Sequence, residues 1–352
     1  MQTQPTIHHR DSLAAHASPW RERPWSGVYP ATLCPFHEDE SIDEAGLVAA
    51  VEDVASVPGI QGIVCNGHTG EIMSLSPDER ARVTRLTAEG VARGTARTGR
   101  HVRVISGVSA EGSREAIDHA TAARDAGADA ILLMPPHHWL RFGRSTATAV
   151  GFVEDVAANA GVSIIIHQYP AWTKAGYTLA EMQAMVRRPE VVMVKMGTRD
   201  MARWRYDYEQ LKATAPHVSI TTCHDEFLLA SLLEGADGAL IGFAGFVPEL
   251  MVELVHAALD GDLARARAAG DLVAPLARIV YAFGEPGCGA HQRMKAAKWL
   301  LGRFPSPVFR RPVRPLSLEQ LTAIRAGLEA LGLNCPIDPM VASAATGPEA
   351  LV

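Results

Sequence analysis

The feature that most limits the fold is an alternation: from Gly27 to about Phe243, short apolar, β-branched runs alternate with longer segments of helical periodicity. Repeated βα units of this kind build a parallel sheet, because two parallel strands must be joined by a crossover and the crossover is usually a helix. Eight runs read as strands: VYPATL (28–33), GIVC (62–65), VRVISG (102–107), AILLMP (130–135), SIIIHQ (163–168), VVMVKM (191–196), SITT (219–222) and GALIGF (238–243). They are nearly continuous in apolar character, as strands covered on both faces must be. Eight βα units in roughly 220 residues fit a closed (β/α)8 (TIM) barrel better than an open doubly wound sheet, which has fewer strands.

Helix starts are legible between the runs. Ser76-Pro77-Asp78-Glu79 offers an N-cap, a proline at the first helical position and a Glu to close a capping box, and Thr178 with Glu181 repeats the box. Gly127, Gly161 and Gly235 stand where helices must stop before the next strand. Beyond the last strand, 247–259, 263–283, 292–301 and 317–331 read as helices, with Ser317 and Gln320 as a third box. The expected organisation is an irregular arm over 1–25, a barrel over 26–245, C-terminal helices over 246–332 and a tail over 333–352.

Composition narrows the partners. With 47% apolar and 20% charged residues the chain can bury a large core, and a net charge of −6 without a Lys/Arg run gives no footprint for nucleic acid or an acidic membrane. A small molecule is the expected partner. The cysteines Cys34, Cys65, Cys223, Cys288 and Cys335 are scattered and odd in number, so neither a disulfide framework nor a zinc ribbon is expected. Reduced thiols, no apolar leader in 1–25 and no run long enough to span a bilayer point to a cytoplasmic protein.

In a barrel the active site forms at the carboxyl ends of the strands. There the sequence places Asn66 to Glu71, Pro135 to His138, His167 to Pro170, Lys195, and Cys223 to Asp225. Lys195 ends an apolar strand; a desolvated stem disfavours the ammonium and frees an amine to attack a carbonyl, whereas a lysine at a strand end otherwise snorkels to solvent.

The motifs together resemble the dihydrodipicolinate synthase and N-acetylneuraminate lyase family of class I aldolases over about residues 25–331. Gly27-x-Tyr29-Pro30-Ala31-Thr32-Leu33-Cys34-Pro35-Phe36 is similar to the family's first strand and turn, and Gly67-His68-Thr69-Gly70-Glu71 to its Gly-(Thr/Ser)-Thr-Gly-Glu signature. Lys195, followed by Gly197, takes the Schiff-base lysine position; Gly235 to Gly238 with Pro248, and Lys295-x6-Gly302, match later elements.

The resemblance implies an imine between Lys195 and a 2-keto acid, with pyruvate as donor or product, and no cofactor. It implies that the Gly67–Gly70 turn holds the keto-acid carboxylate through backbone amides, with His68 and Thr69 as donors and Leu240 and Trp172 completing the substrate set. It also implies a homotetramer or dimer. Three positions depart from the family: the hydroxyls that shuttle protons are replaced by His167, His68 and His137. Imidazole can donate and accept near neutrality, so these are the candidate proton carriers, against a role in filling the site. A zinc set made of the same rings is the lesser alternative, because none has the i, i+4 spacing of a helical ligand pair and a metal beside a Schiff-base lysine is redundant. Trp172 stands where the synthase branch has an arginine for its second substrate, which disfavours the dihydrodipicolinate synthase reaction itself and suggests an apolar, aromatic or sugar-like distal group. The leading expectation is a lyase; a 2-keto-3-deoxy sugar acid dehydratase using the same imine and a non-catalytic metabolite-binding barrel are the alternatives.

Overall fold

The computed structural model describes residues 19–282 and 289–340, and of residues 171 and 172 the backbone alone. Its eight strands are β1 (Gly27–Pro30), β2 (Gly62–Cys65), β3 (Arg103–Val108), β4 (Ala130–Leu133), β5 (Ser163–Gln168), β6 (Val191–Met196), β7 (Ser219–Thr222) and β8 (Gly238–Ile241). All pair in parallel, in the order β1-β8-β7-β6-β5-β4-β3-β2. Parallel bridges from Val28 to Ile60 and from Ala31 to Val64 join the two ends of the sheet, so the (β/α)8 barrel closes.

The helices of the first half are α1 (Glu44–Ser56), α2 (Pro77–Thr95), α3 (Ser113–Asp125), α4 (Trp139–Phe142), α5 (Thr146–Ala160), α6 (Pro170–Thr173) and α7 (Leu179–Met185). They are followed by α8 (Met201–Thr214), α9 (Leu228–Leu233), α10 (Phe243–Phe246), α11 (Pro248–Leu259), α12 (Leu263–Val280), α13 (Ala290–Leu300) and α14 (Leu318–Ala330). The capping boxes at Ser76, Thr178 and Ser317 form in full, each hydroxyl accepting from the N3 amide while the N3 side chain accepts from the cap. Helix α11 packs on β1 and β8 and against α12, and α12, α13 and α14 pack on one another.

Strand ends differ from the sequence reading where the backbone loses a partner. The first strand stops at Pro30 rather than residue 33, since beyond it only Ala31 makes a bridge. The fourth stops at Leu133, short of Pro135 and Pro136, which have no amide to donate. The eighth stops at Ile241 because the Phe243 amide turns to the Asp225 carboxylate (2.8 Å) and starts α10. The third runs 103–108, one residue later than expected. Helix α13 begins earlier, at Ala290, capped by Gly289 in the left-handed region (φ 61°).

Side chains alternate between two cores, as a strand period of two requires. Tyr29, Val64, Ile105, Leu132, Ile165, Met193 and Leu240 fill the barrel interior, while Val28, Ile63, Val104, Ile131, Ile164, Val194 and Ile241 face the helices. Most of the N-terminal arm and the C-terminal tail lie outside the described residues. Trp20 is buried and donates through Nε1 to Asp260 (2.7 Å), and Arg21 pairs with the same carboxylate, which ties the chain before β1 to the end of α11. Among the described residues no helix is long and apolar enough to cross a membrane.

Candidate active site

The interior parity carries the chemistry upward from the core. Ile165 points inward, so His167 two residues on does too; Met193 does the same for Lys195. A bulge between Ile164 and Ile165 shifts the β5–β6 register and sets His167 directly beside Lys195. The hydrophobic layer below them is therefore the floor of a cavity of about 600 Å³ at the carboxyl end of the barrel, lined among others by His68, Thr69, Lys195, Cys223, Asp225 and Leu240.

The turn after β2 is built by local hydrogen bonds. Gly70 donates to the Gly67 carbonyl (3.1 Å) and Glu71 to that of His68 (3.0 Å). Asn66, in the left-handed region (φ 52°), anchors the turn by donating to the Arg80 carbonyl, Thr84 and Ser106. Gly107 on β3 runs so close that a Cβ would overlap the Asn66 carbonyl oxygen, so only glycine fits there. Among the described residues the amides of His68 and Thr69 have no acceptor, and both residues line the cavity. Two unused N–H groups in a tight turn form a receptor for a carboxylate.

The opposite wall comes from outside the barrel: Gly289 to Gln292 at the start of α13, and Phe309 to Val313. Lys295 joins the two walls. Its ammonium, fully buried, donates to the carbonyls of Cys34 (2.8 Å) and Val308 (2.8 Å) and to the Glu71 carboxylate, and lies 3.9 Å from the centre of the Phe309 ring. Arg310 pairs with Glu79 (2.6 Å) and Arg311 with Glu40, which fixes the loop above.

Burial dominates the electrostatics. It pushes the Lys195 ammonium below the usual lysine value, with Cys223 and Asp225 partly opposing the shift. The imidazole of His68 is lowered to about 3 and that of His167 lies well below its ordinary value, in both through burial first and the neighbouring Lys195 second. His291 falls to about 4 for the same two reasons. All three rings are neutral at pH 7. Asp225 is raised to about 7 by burial, although the Phe243 amide and the Tyr281 hydroxyl (2.9 Å) donate to it.

The expected residues gather unequally. His68 and His167 lie 5.3 Å apart between ring centres with their planes tilted by 55°, and His167, buried behind the cavity lining, has both nitrogens without a hydrogen-bond partner among the described residues. Leu240 and Thr69 line the cavity; Gly67 and Gly70 shape the turn behind it. His137 lies on the loop after β4, half-buried, with Nδ1 3.7 Å from Glu111, and does not line the cavity. The Trp172 side chain lies outside the described residues. Among the described residues no group of three or more His, Cys, Asp or Glu side chains is arranged to hold a metal ion.

Residues 24–331 match the model of the dihydrodipicolinate synthetase family. The chain belongs to that family. A 4-hydroxy-tetrahydrodipicolinate synthase of Acidiphilium cryptum is 32% identical over 87% of this chain and 98% of its own length. An N-acetylneuraminate lyase of Rhizobium meliloti is 30% identical over 85% and 93%. The solved structure of Escherichia coli YagE, described as a family member in complex with pyruvate, is 26% identical with a TM-score of 0.79, covering 88% of this chain and all of that one (100%). This dihydrodipicolinate synthetase family member is accordingly an enzyme of the lyase and aldolase kind.

Sequence reasoning missed His291, Tyr281 and the 309–313 wall, and gave no role to Asp225 although it stood among the strand-end polar groups. Asp225 was reachable, since it follows an inward-facing strand by the same parity as Lys195. His291 carried no signal: it sits in a helix whose path back to the barrel mouth is a tertiary fact.

Proposed function

We propose that this enzyme acts on a 2-keto acid, with pyruvate as donor or product, through an imine on Lys195. The observation that carries the reading is that Lys195, an amine disfavoured as ammonium by burial, opens on the same cavity as the two unused amides of His68 and Thr69. A keto-acid carboxylate held by those amides presents its adjacent carbonyl carbon to Lys195. The amine adds to that carbon, the carbinolamine loses water, and the resulting iminium withdraws electrons from C3 and C4. In cleavage a proton leaves the C4 hydroxyl, the C3–C4 bond breaks to an aldehyde and an enamine, and protonation at C3 followed by hydrolysis returns pyruvate and the free lysine.

His167, neutral, in register with Lys195 and without a hydrogen-bond partner among the described residues, is the group that accepts and returns these protons; His68, on the cavity wall with its ring centre 5.3 Å away, supports it. The imine itself is the electron sink, so no cofactor is called for. Loss of water rather than C–C cleavage from the same imine would make the enzyme a dehydratase of 2-keto-3-deoxy sugar acids, and the pyruvate bound in the YagE structure favours the aldolase reading. The reaction belongs to the cytoplasm, where Cys34, Cys65, Cys223 and Cys335, none of them in a disulfide among the described residues, stay reduced. A dimer or tetramer is the expected assembly; Phe142, 79% exposed on α4 next to the His137 loop, supports a subunit contact there.

Borohydride reduction in the presence of pyruvate, followed by peptide mass mapping, tests the reading. An adduct on Lys195, absent from Lys195→Ala, is expected. No adduct with any of several 2-keto acids would refute it.

A further inference from the structure

We propose that His291 is a substrate-contacting, specificity-determining residue that hydrogen-bonds an oxygen on the distal half of the substrate, so that the enzyme selects hydroxylated 2-keto acids and their aldehyde fragments over hydrocarbon-tailed ones. The inference rests on the imine reading above and deepens it. The barrel side of the cavity is committed to the pyruvate unit: Lys195 takes C2, the His68 and Thr69 amides take the carboxylate, and His167 fills the register position beside the lysine. Whatever extends from C3 must therefore leave toward the wall formed by the C-terminal segment.

That wall is where His291 stands, in the first turn of α13 behind the left-handed cap Gly289. Most polar side chains around it are already engaged: Lys295 with Glu71 and two carbonyls, Arg310 with Glu79, Arg311 with Glu40, Gln292 with the Arg314 carbonyl. On this wall His291 is the exception, lining the cavity with no side-chain hydrogen bond to another of the described residues. Burial between Lys195 and Lys295 keeps the ring uncharged, so it offers one donor and one acceptor rather than a cation. An uncharged ring of this kind matches a hydroxyl on the carbons beyond the new bond, which can complete a bond that the cavity otherwise leaves unmade.

The test separates the two halves of the reaction. With wild-type enzyme and pyruvate, borohydride trapping on Lys195 and deuterium exchange at the pyruvate methyl, followed by NMR, report the imine half. Aldol condensation of pyruvate with glyceraldehyde and with hexanal reports the distal half. In His291→Phe, trapping and exchange should stay within twofold of wild type. The kcat/KM for glyceraldehyde should fall at least 10-fold, while that for hexanal stays or rises. His291→Gln, which keeps a donor and an acceptor, should restore part of the glyceraldehyde reaction. If wild type itself is not trapped, the imine reading fails. If wild type is trapped and His291→Phe keeps its preference for glyceraldehyde, or loses exchange along with turnover, the role assigned to His291 is overturned. Trapping in the variants also reports that they have folded, and if His291→Phe does not fold, His291→Gln and His291→Leu decide by the same criteria.

Discussion

Lys295 offers the sharpest test of how the two walls of the site are held. Replacing it with Met keeps much of the stem and removes the charge. The Glu71 carboxylate, whose side chain is only 9% exposed, is then left buried without its partner, and removing one member of a buried ion pair costs about 3–5 kcal/mol. The carbonyls of Cys34 and Val308 also lose their donor, at about 1 kcal/mol each where no water replaces it. Relaxation and partial protonation of Glu71, whose pKa burial already raises, offset part of this, so Lys295→Met should lose about 4 kcal/mol. Glu71→Leu alone leaves the lysine its two carbonyls, and adding it to Lys295→Met removes the stranded charge. The double variant should therefore be at least about 2 kcal/mol more stable than the sum of the singles predicts. Urea unfolding at pH 7, followed by circular dichroism, measures all four corners. A loss below about 1 kcal/mol in Lys295→Met, or strict additivity, would refute the view that this pair bolts the C-terminal segment to the turn after β2.

Three further outcomes follow from the same geometry. His68 (about 3), His167, His224 (about 4) and His291 (about 4) are all lowered by burial, so the unfolded chain takes up their protons first as pH falls below about 6.5. Stability is full above that value and declines toward pH 4, and His167→Asn should flatten the decline by up to about 1.4 kcal/mol per pH unit; an unchanged slope in urea titrations would contradict the burial argument. Asp225 acts in the opposite sense: its folded value of about 7 lies above the unfolded one, so its contribution is complete below about pH 4 and is lost as pH rises through 7. Asp225→Asn should remove that opposing loss, so that stability rises more steeply from pH 4 to 7 than in wild type, and an unchanged slope over that window would count against it. Gly107→Ala forces a methyl into the Asn66 carbonyl and should destabilise by about 3 kcal/mol while weakening pyruvate trapping; wild-type stability would show that the β3 backbone yields more freely than the packing implies.

Much of this protein is determined by its sequence alone, because strands and helices follow from local periodicity and capping chemistry. The alternation of apolar runs specified eight parallel strands, and β2, β5, β6 and β7 begin and end where those runs do. The capping boxes at Ser76, Thr178 and Ser317 are short-range hydrogen bonds and were equally visible. Period-two alternation even oriented Lys195 and His167, since each stands two residues beyond an interior-facing apolar side chain. Strand ends at Pro30, Leu133 and Ile241 needed more, because they depend on which distant group takes the next amide. Tertiary structure decided the company of the lysine. The bulge in β5–β6 set His167 in register with it, the return of α13 brought His291 and Lys295 to the barrel mouth, and Glu111 drew His137 aside. Residues about 100 positions apart that line one cavity, such as Lys195 and His291, leave no local pattern, because only packing brings them together.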